Sequence, residues 1–226
     1  MKKLIPLLLS FLLIGCASDT EQKGLDAIAA LYQGKATYSK SFHSSLGEET
    51  IKSFNITVMD SERIDTLSPG MTSALIATLA YDNFSEEERE SYTQVNVSLF
   101  NSKKDSAGFT FPTPLLHNLL VKRKTFNEFS NWTLNGEFQK IDGLKNNDAI
   151  PQEIGEIIQN SLATTEESYG KLIAFEPYGI GKVQDSIGEL YQYQGYFVFQ
   201  SNKRKPYFVV VDSKPDDERL VGFKIF

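Results

Sequence analysis

Two residue types that often carry chemistry are nearly missing from this chain. It has a single cysteine, Cys16, so no disulfide can form within it and no site of several thiolates can be built. Its two histidines, His43 and His117, lie far apart without the H-x-H or H-x-x-x-H spacing of a zinc site, and both are expected at the surface or at a helix end. Long apolar runs are also scarce. The longest, Leu4 to Ile14, falls short of the roughly 20 residues that cross a bilayer as a helix. Positive charge is in deficit: 23 Lys and Arg against 29 Asp and Glu leave a net charge of −6, a poor surface for nucleic acid. Gly179-Ile180-Gly181-Lys182 lacks the upstream glycine and the following Ser or Thr of a phosphate-binding loop, and reads as a turn.

What is present at the start of the chain is an address. Lys2 and Lys3 precede the short apolar run, and Leu13-Ile14-Gly15-Cys16 closes it. This stretch resembles the lipobox of bacterial lipoproteins: an aliphatic first position, a small residue before the cysteine, and polar sequence after it. The competing reading is an ordinary secretory signal with an incidental cysteine. The resemblance implies removal of residues 1–15, acylation of Cys16, and stable attachment through several acyl chains. Ala17 stands where an aspartate would retain an enteric-type lipoprotein in the inner membrane. The implied destination is therefore the outer membrane, or the plasma membrane in a cell that has only one. Losing Lys2 and Lys3 takes the charge from −6 to −8. Residues 16–24 read as a lipidated polar tether, with Asp19 and Glu21 either solvated or part of a surface-export tag.

Residues 25–112 read as a small α+β unit. Leu25, Ile28, Ala29 and Tyr32 recur at helical spacing, and Gly34 ends or loosens that helix. Phe54, Ile56 and Val58 alternate as a half-buried strand. Ser68-Pro69 opens a core helix carrying Met71, Leu75 and Leu79, and Ser85 with Glu88 forms a capping box for a short acidic helix. Val95, Val97 and Leu99 make a second strand, with Gly108 to Phe111 as its partner. Pro112 to Pro114 marks a boundary between this unit and residues 113–226.

The second unit opens with a helix capped by Thr113 that runs to Asn135-Gly136, where the glycine supplies a left-handed stop. Lys122, Arg123 and Lys124 on it read as a solvated face, or as a contact for anionic lipid. A further helix begins at Pro151, with Ile154, Ile157, Ile158 and Leu162 on one stripe. From Tyr169 the period changes to two. Residues 171–176, 190–200, 205–212 and 220–226 predict a four-stranded antiparallel meander. Tyr191, Tyr193, Phe197 and Phe199 form an aromatic stripe, expected to pack on the helix of Ile154 and Leu162.

Three segments carry a second resemblance: Phe129-x-x-Trp132-x-x-Asn135-Gly136-Glu137-Phe138, Tyr169-Gly170-Lys171-Leu172, and Leu220 to Ile225. This half is similar to the cone-shaped nuclear transport factor two-like domains of bacterial lipoproteins. The resemblance implies a curved sheet wrapped on helices, with a pocket at its mouth for which Tyr191, Tyr193, Tyr207 and Glu176 are the candidate lining. The same scaffold serves isomerases, dehydratases and binding modules, so fold alone does not choose. Glu176 or Asp212 beside a tyrosine hydroxyl would suit an isomerase-like enzyme, although Asp212-Ser213-Lys214-Pro215 reads as a turn. No catalytic residue, metal ligand or cofactor is assigned. The expectation is a lipid-anchored, non-catalytic envelope lipoprotein that binds a protein or an apolar ligand. The alternatives are a small-molecule isomerase- or dehydratase-like enzyme in the cone, and a periplasmic immunity or inhibitor lipoprotein that blocks a basic partner.

Overall fold

The computed structural model describes residues 17–44, 50–146, 148–150, 152–186 and 188–226. Leu13, Ile14, Gly15, Cys16 and Pro151 lie outside the described residues. The architecture is α+β, built on two four-stranded sheets.

Helix α1 (Asp19–Tyr32) begins inside the stretch read as a tether. The Ser18 hydroxyl accepts the Glu21 amide and the Glu21 carboxylate accepts the Ser18 amide, so two otherwise unpaired donors are satisfied and the helix starts early. Glu21 is buried rather than solvated, because Lys40 pairs with it at 2.8 Å and the Tyr92 hydroxyl donates to it at 2.6 Å. Ser18 and Thr20 also donate to Glu88, which closes the second capping box on Ser85. One carboxylate therefore joins the starts of α1 and of α3 (Glu86–Ser91).

The first sheet contains β1 (Lys35–His43), β2 (Ile51–Met59), β3 (Gln94–Phe100) and β4 (Ser106–Pro112), in that spatial order. β1 and β4 pair antiparallel with their neighbours, while β2 and β3 are parallel and require a helical crossover. The alternating residues of the two central strands match in register, Phe54 with Val95, Ile56 with Val97 and Val58 with Leu99, and all six are buried. β1 escaped the sequence reading. It is an edge strand with little burial, so it shows no clean apolar alternation.

The crossover helix α2 (Pro69–Asn83) is buried at every position from Thr72 to Tyr81. Such a helix belongs in the middle of a structure, and α2 touches α1, β3 and β4 as well as elements of the second half. The proline sits in its first turn as expected, although Ser68 caps by position without a side-chain hydrogen bond.

In the second half, α4 (Thr113–Asn135) takes Pro112 as its cap residue and stops at Gly136, whose φ of 73° is left-handed. After α5 (Phe138–Ile141), helix α6 (Gly155–Tyr169) is opened by Asp142, whose carboxylate accepts the amides of Ile154 at 2.7 Å and Gly155 at 3.1 Å. The meander follows as β5 (Leu172–Asp185), β6 (Gly188–Phe199), β7 (Arg204–Asp212) and β8 (Leu220–Ile225), antiparallel throughout. Gly179 to Lys182 is not a turn. It lies within β5, just past a register shift at Pro177 and Gly179.

The aromatic stripe is core, but its partner is α4 rather than α6. Tyr193 donates to the Leu119 carbonyl at 2.7 Å, the Tyr207 and Ser130 hydroxyls lie 2.6 Å apart, and the Phe126 ring stacks on Tyr207. α6 reaches the stripe at its far end, where Tyr169 meets Phe199, and Ile157 of the expected apolar stripe is 50 % exposed. The basic cluster also divides. Lys122 is fully buried, with its ammonium donating to the carbonyls of Lys214, Pro215 and Asp217, while Arg123 pairs with Asp82 at 3.2 Å and Lys124 is the exposed member. A buried charge needs such partners, and the loop between β7 and β8 supplies them. One continuous buried cluster runs from Leu25 through α2 and α4 to Leu220, crossing the Pro112–Pro114 position.

Candidate functional site

The four residues expected to line one pocket are not brought together. Tyr193 and Tyr207 fill the core, and Tyr207 stacks on Phe197 with ring centroids 3.8 Å apart. Burial raises the pKa of both phenols, so each remains a neutral donor at ordinary pH. Tyr191 sits at the edge of the stripe, where Asn118 donates to its hydroxyl at 3.3 Å. Glu176 lies in a separate cleft, paired with Arg63 and Arg204. Asp212 accepts the Lys214 amide at 2.9 Å, which is the turn role expected of it. The tyrosine hydroxyls at 191, 193 and 207 thus meet Asn118, a backbone carbonyl and Ser130 rather than either carboxylate.

Two cavities adjoin these residues. The larger, about 350 Å³, is a groove where the two halves meet. Met71 and Ala74 of α2 form one wall, Leu115 and Leu119 of α4 the other, and Ile180 and Gly181 of β5 the floor. Phe111 and Tyr191 also line it, as do the polar groups Ser68 and Lys182. Lys182 pairs with Glu189 at 2.6 Å, which holds its ammonium against the partner carboxylate. Gly181 gives the Met71 side chain room to lie across the strand: a Cβ there would be 2.2 Å from Met71 Cε. In size and chemistry the groove falls within the range of small-molecule sites, largely apolar with a few placed polar groups.

The smaller cavity, about 150 Å³, lies between α1, the 3₁₀ turn Ile64–Thr66 and the second sheet. Arg63 donates to Glu176 at 2.7 Å and also to the Leu31 carbonyl, and Arg204 reaches the same carboxylate at 3.2 Å. Tyr178 and Tyr196 stack beside this triad with centroids 4.4 Å apart. Burial pushes the Tyr178 hydroxyl up to about 12.

His43 and His117 are both at the surface. Among the described residues, no group of three or more His, Cys, Asp and Glu is arranged to hold a metal ion, and no helix is long and apolar enough to cross a membrane. Sequence reasoning missed Met71, Leu115, Arg63 and Arg204 as site residues. The first two read as helix core and the arginines as isolated charges, because the groups they meet lie far along the chain. No family model, no curated protein and no solved structure matches this chain.

Proposed function

We propose that this chain is a lipid-anchored, non-catalytic binding protein of the bacterial cell envelope, which holds an apolar ligand in the groove between α2, α4 and β5. The observation that carries the ligand is the groove itself. It is a space of about 350 Å³ lined mainly by apolar side chains, among them Met71, Ala74, Leu115, Leu119 and Ile180. Apolar surface left open to water is costly, and a ligand that covers it recovers roughly 25 cal/mol per Å². The anchor rests on Lys2, Lys3 and Leu13 to Cys16. Attachment to a membrane would place the groove near a source of acyl chains and other apolar molecules. The non-catalytic reading is supported by the engagement of the candidate acid and base groups in structural contacts: Glu176 with two arginines, Asp212 in its turn, and the tyrosines with carbonyl, amide or hydroxyl partners.

The test is titration of the chain beginning at Ala17 with a fluorescent acyl probe, dansyl-undecanoate. Saturable binding is expected, and Ala74→Phe, which places a ring in the groove, should weaken it at least tenfold while the protein stays folded. Absence of saturable binding, or equal affinity in the filled variant, would remove the ligand reading.

A further inference from the structure

The smaller cavity shares no lining residue with the apolar groove, and its charges do not cancel. Arg63 and Arg204 both address the Glu176 carboxylate: Arg63 Nη2 donates to Oε2, Arg204 Nε lies 3.2 Å from the same oxygen, and Arg204 Nη2 donates to Oε1 at 3.3 Å. Among the described residues, Glu176 is the only acidic one in the lining. Two guanidinium groups against one carboxylate leave one positive charge in a chain whose net charge is −6. Arg63 is fixed from behind by the Leu31 carbonyl, so its fork is set before any ligand arrives. Each guanidinium carries five N–H donors, and the bonds to Glu176 and Leu31 leave donors over on both.

The remaining walls are apolar or aromatic. Leu67 and Pro177 line the cleft, and the Tyr178–Tyr196 stack provides a flat face. The Tyr32 hydroxyl, itself buried, donates to the Tyr178 carbonyl at 3.2 Å and ties α1 to that wall.

We propose that this cleft binds a small organic monocarboxylate with a flat apolar body. Its carboxylate would take the guanidinium donors that Glu176 leaves free, as paired N–H···O bonds suit that geometry. Its body would lie against the tyrosine stack. The single uncompensated charge selects a monoanion, because a dianion would leave negative charge in the cleft beside Glu176. The volume of about 150 Å³ limits the body to roughly one ring.

The experiment is calorimetric titration of the chain beginning at Ala17 with benzoate, and with benzamide as its neutral counterpart. Benzoate should bind and benzamide should bind at least tenfold more weakly. Glu176→Gln removes the competing anion and should raise benzoate affinity on the order of tenfold, whereas removal of a mere structural staple would raise nothing. Arg204→Gln, at a side chain that is 46 % exposed and tolerant of change, should lower it by a similar factor. A melting scan of each variant separates loss of binding from loss of fold. Equal binding of benzoate and benzamide, or no benzoate binding by the wild type, overturns the proposal. So does a folded Glu176→Gln protein with unchanged or weaker affinity. If that variant does not fold, unchanged affinity in Arg204→Gln overturns it instead, and a tenfold loss there upholds it. The acyl probe reports on the other cavity, so failure of either reading leaves the other standing.

Discussion

Met71 lies on bare backbone: a Cβ on Gly181 would be 2.2 Å from its Cε, and a Cβ on Gly179 would be 3.1 Å from its Cβ. The two contacts differ in how easily they yield. The Cε methyl ends a flexible side chain and can swing into the groove, whereas the Met71 Cβ is fixed to α2. Gly181→Ala should therefore cost less than about 1 kcal/mol yet weaken acyl-probe binding as the methyl moves into the ligand space. Gly179→Val should cost roughly 1–3 kcal/mol by overpacking. Urea unfolding of both variants, with probe titration of the first, checks the pair.

Phe197 is fully buried and stacked on Tyr207. Phe197→Ala should lose roughly 3–5 kcal/mol, the usual cost of truncating a buried aromatic, and its melting temperature should fall accordingly. Asp212→Asn keeps the turn and should complement a deletion strain. An enzyme that used this carboxylate as its base would lose roughly 10²–10⁴ in rate with the fold intact. A stable Asp212→Asn protein that fails to complement would bring the catalytic alternative forward.

Lys122 holds the β7–β8 loop through three of its carbonyls, with Thr125 adding a bond to the Glu218 carbonyl at 2.5 Å. Lys122→Ala leaves those acceptors to find water and should cost about 1–3 kcal/mol. Hydrogen exchange should rise first across residues 213–219, before the strands on either side respond.

Tyr32, Tyr193 and Tyr207 have pKa values raised mainly by burial. A folded-state value above the unfolded one means that the stabilisation is complete below the unfolded pKa of about 10 and is lost as pH rises beyond it. Lys122, whose pKa burial lowers, acts in the opposite direction, as one group against three. Denaturant midpoints should therefore fall from pH 10 to pH 12, and Tyr207→Phe should flatten that fall.

The shared cluster around α2 predicts one cooperative transition for the full chain. A fragment of residues 113–226 would lose the wall that α2 supplies to β5, and should melt well below the intact protein. Differential scanning calorimetry of the two samples distinguishes this from two units that unfold independently.

Periodicity was readable wherever neighbours in sequence share a fate. Ile56 and Val97 alternate with polar residues because one sheet face is buried, and the S-x-x-E box at Ser85 is local by nature. The same box at Ser18 went unread because the polar letters around it resembled a linker, and the burial of Glu21 depends on Lys40 and Tyr92. Lys122 failed for the same reason: its carbonyl partners lie more than ninety positions away. The cleft of Arg63, Glu176 and Arg204 joins three separate stretches, and no pattern within any one of them announces the others. Gly179 and Gly181 looked like turn residues because glycine more often supplies a bend than a place for a helix to rest.

The carboxylate of Glu88, shared by Ser18, Thr20 and Ser85, also ties the start of the described chain to the body. With Ser18 locked to the body, an acyl group on Cys16 would be joined to a rigid object through about two residues, a reach of roughly 7 Å. A protein moored that tightly cannot tumble like a float on a line. Under the proposed anchor it would turn about a short pivot, which would keep the acidic shoulder of Glu86, Glu87 and Glu90 close to the lipid head groups. On an anionic leaflet that shoulder would be pushed away and the body would stand upright, whereas on a zwitterionic leaflet it is free to lean.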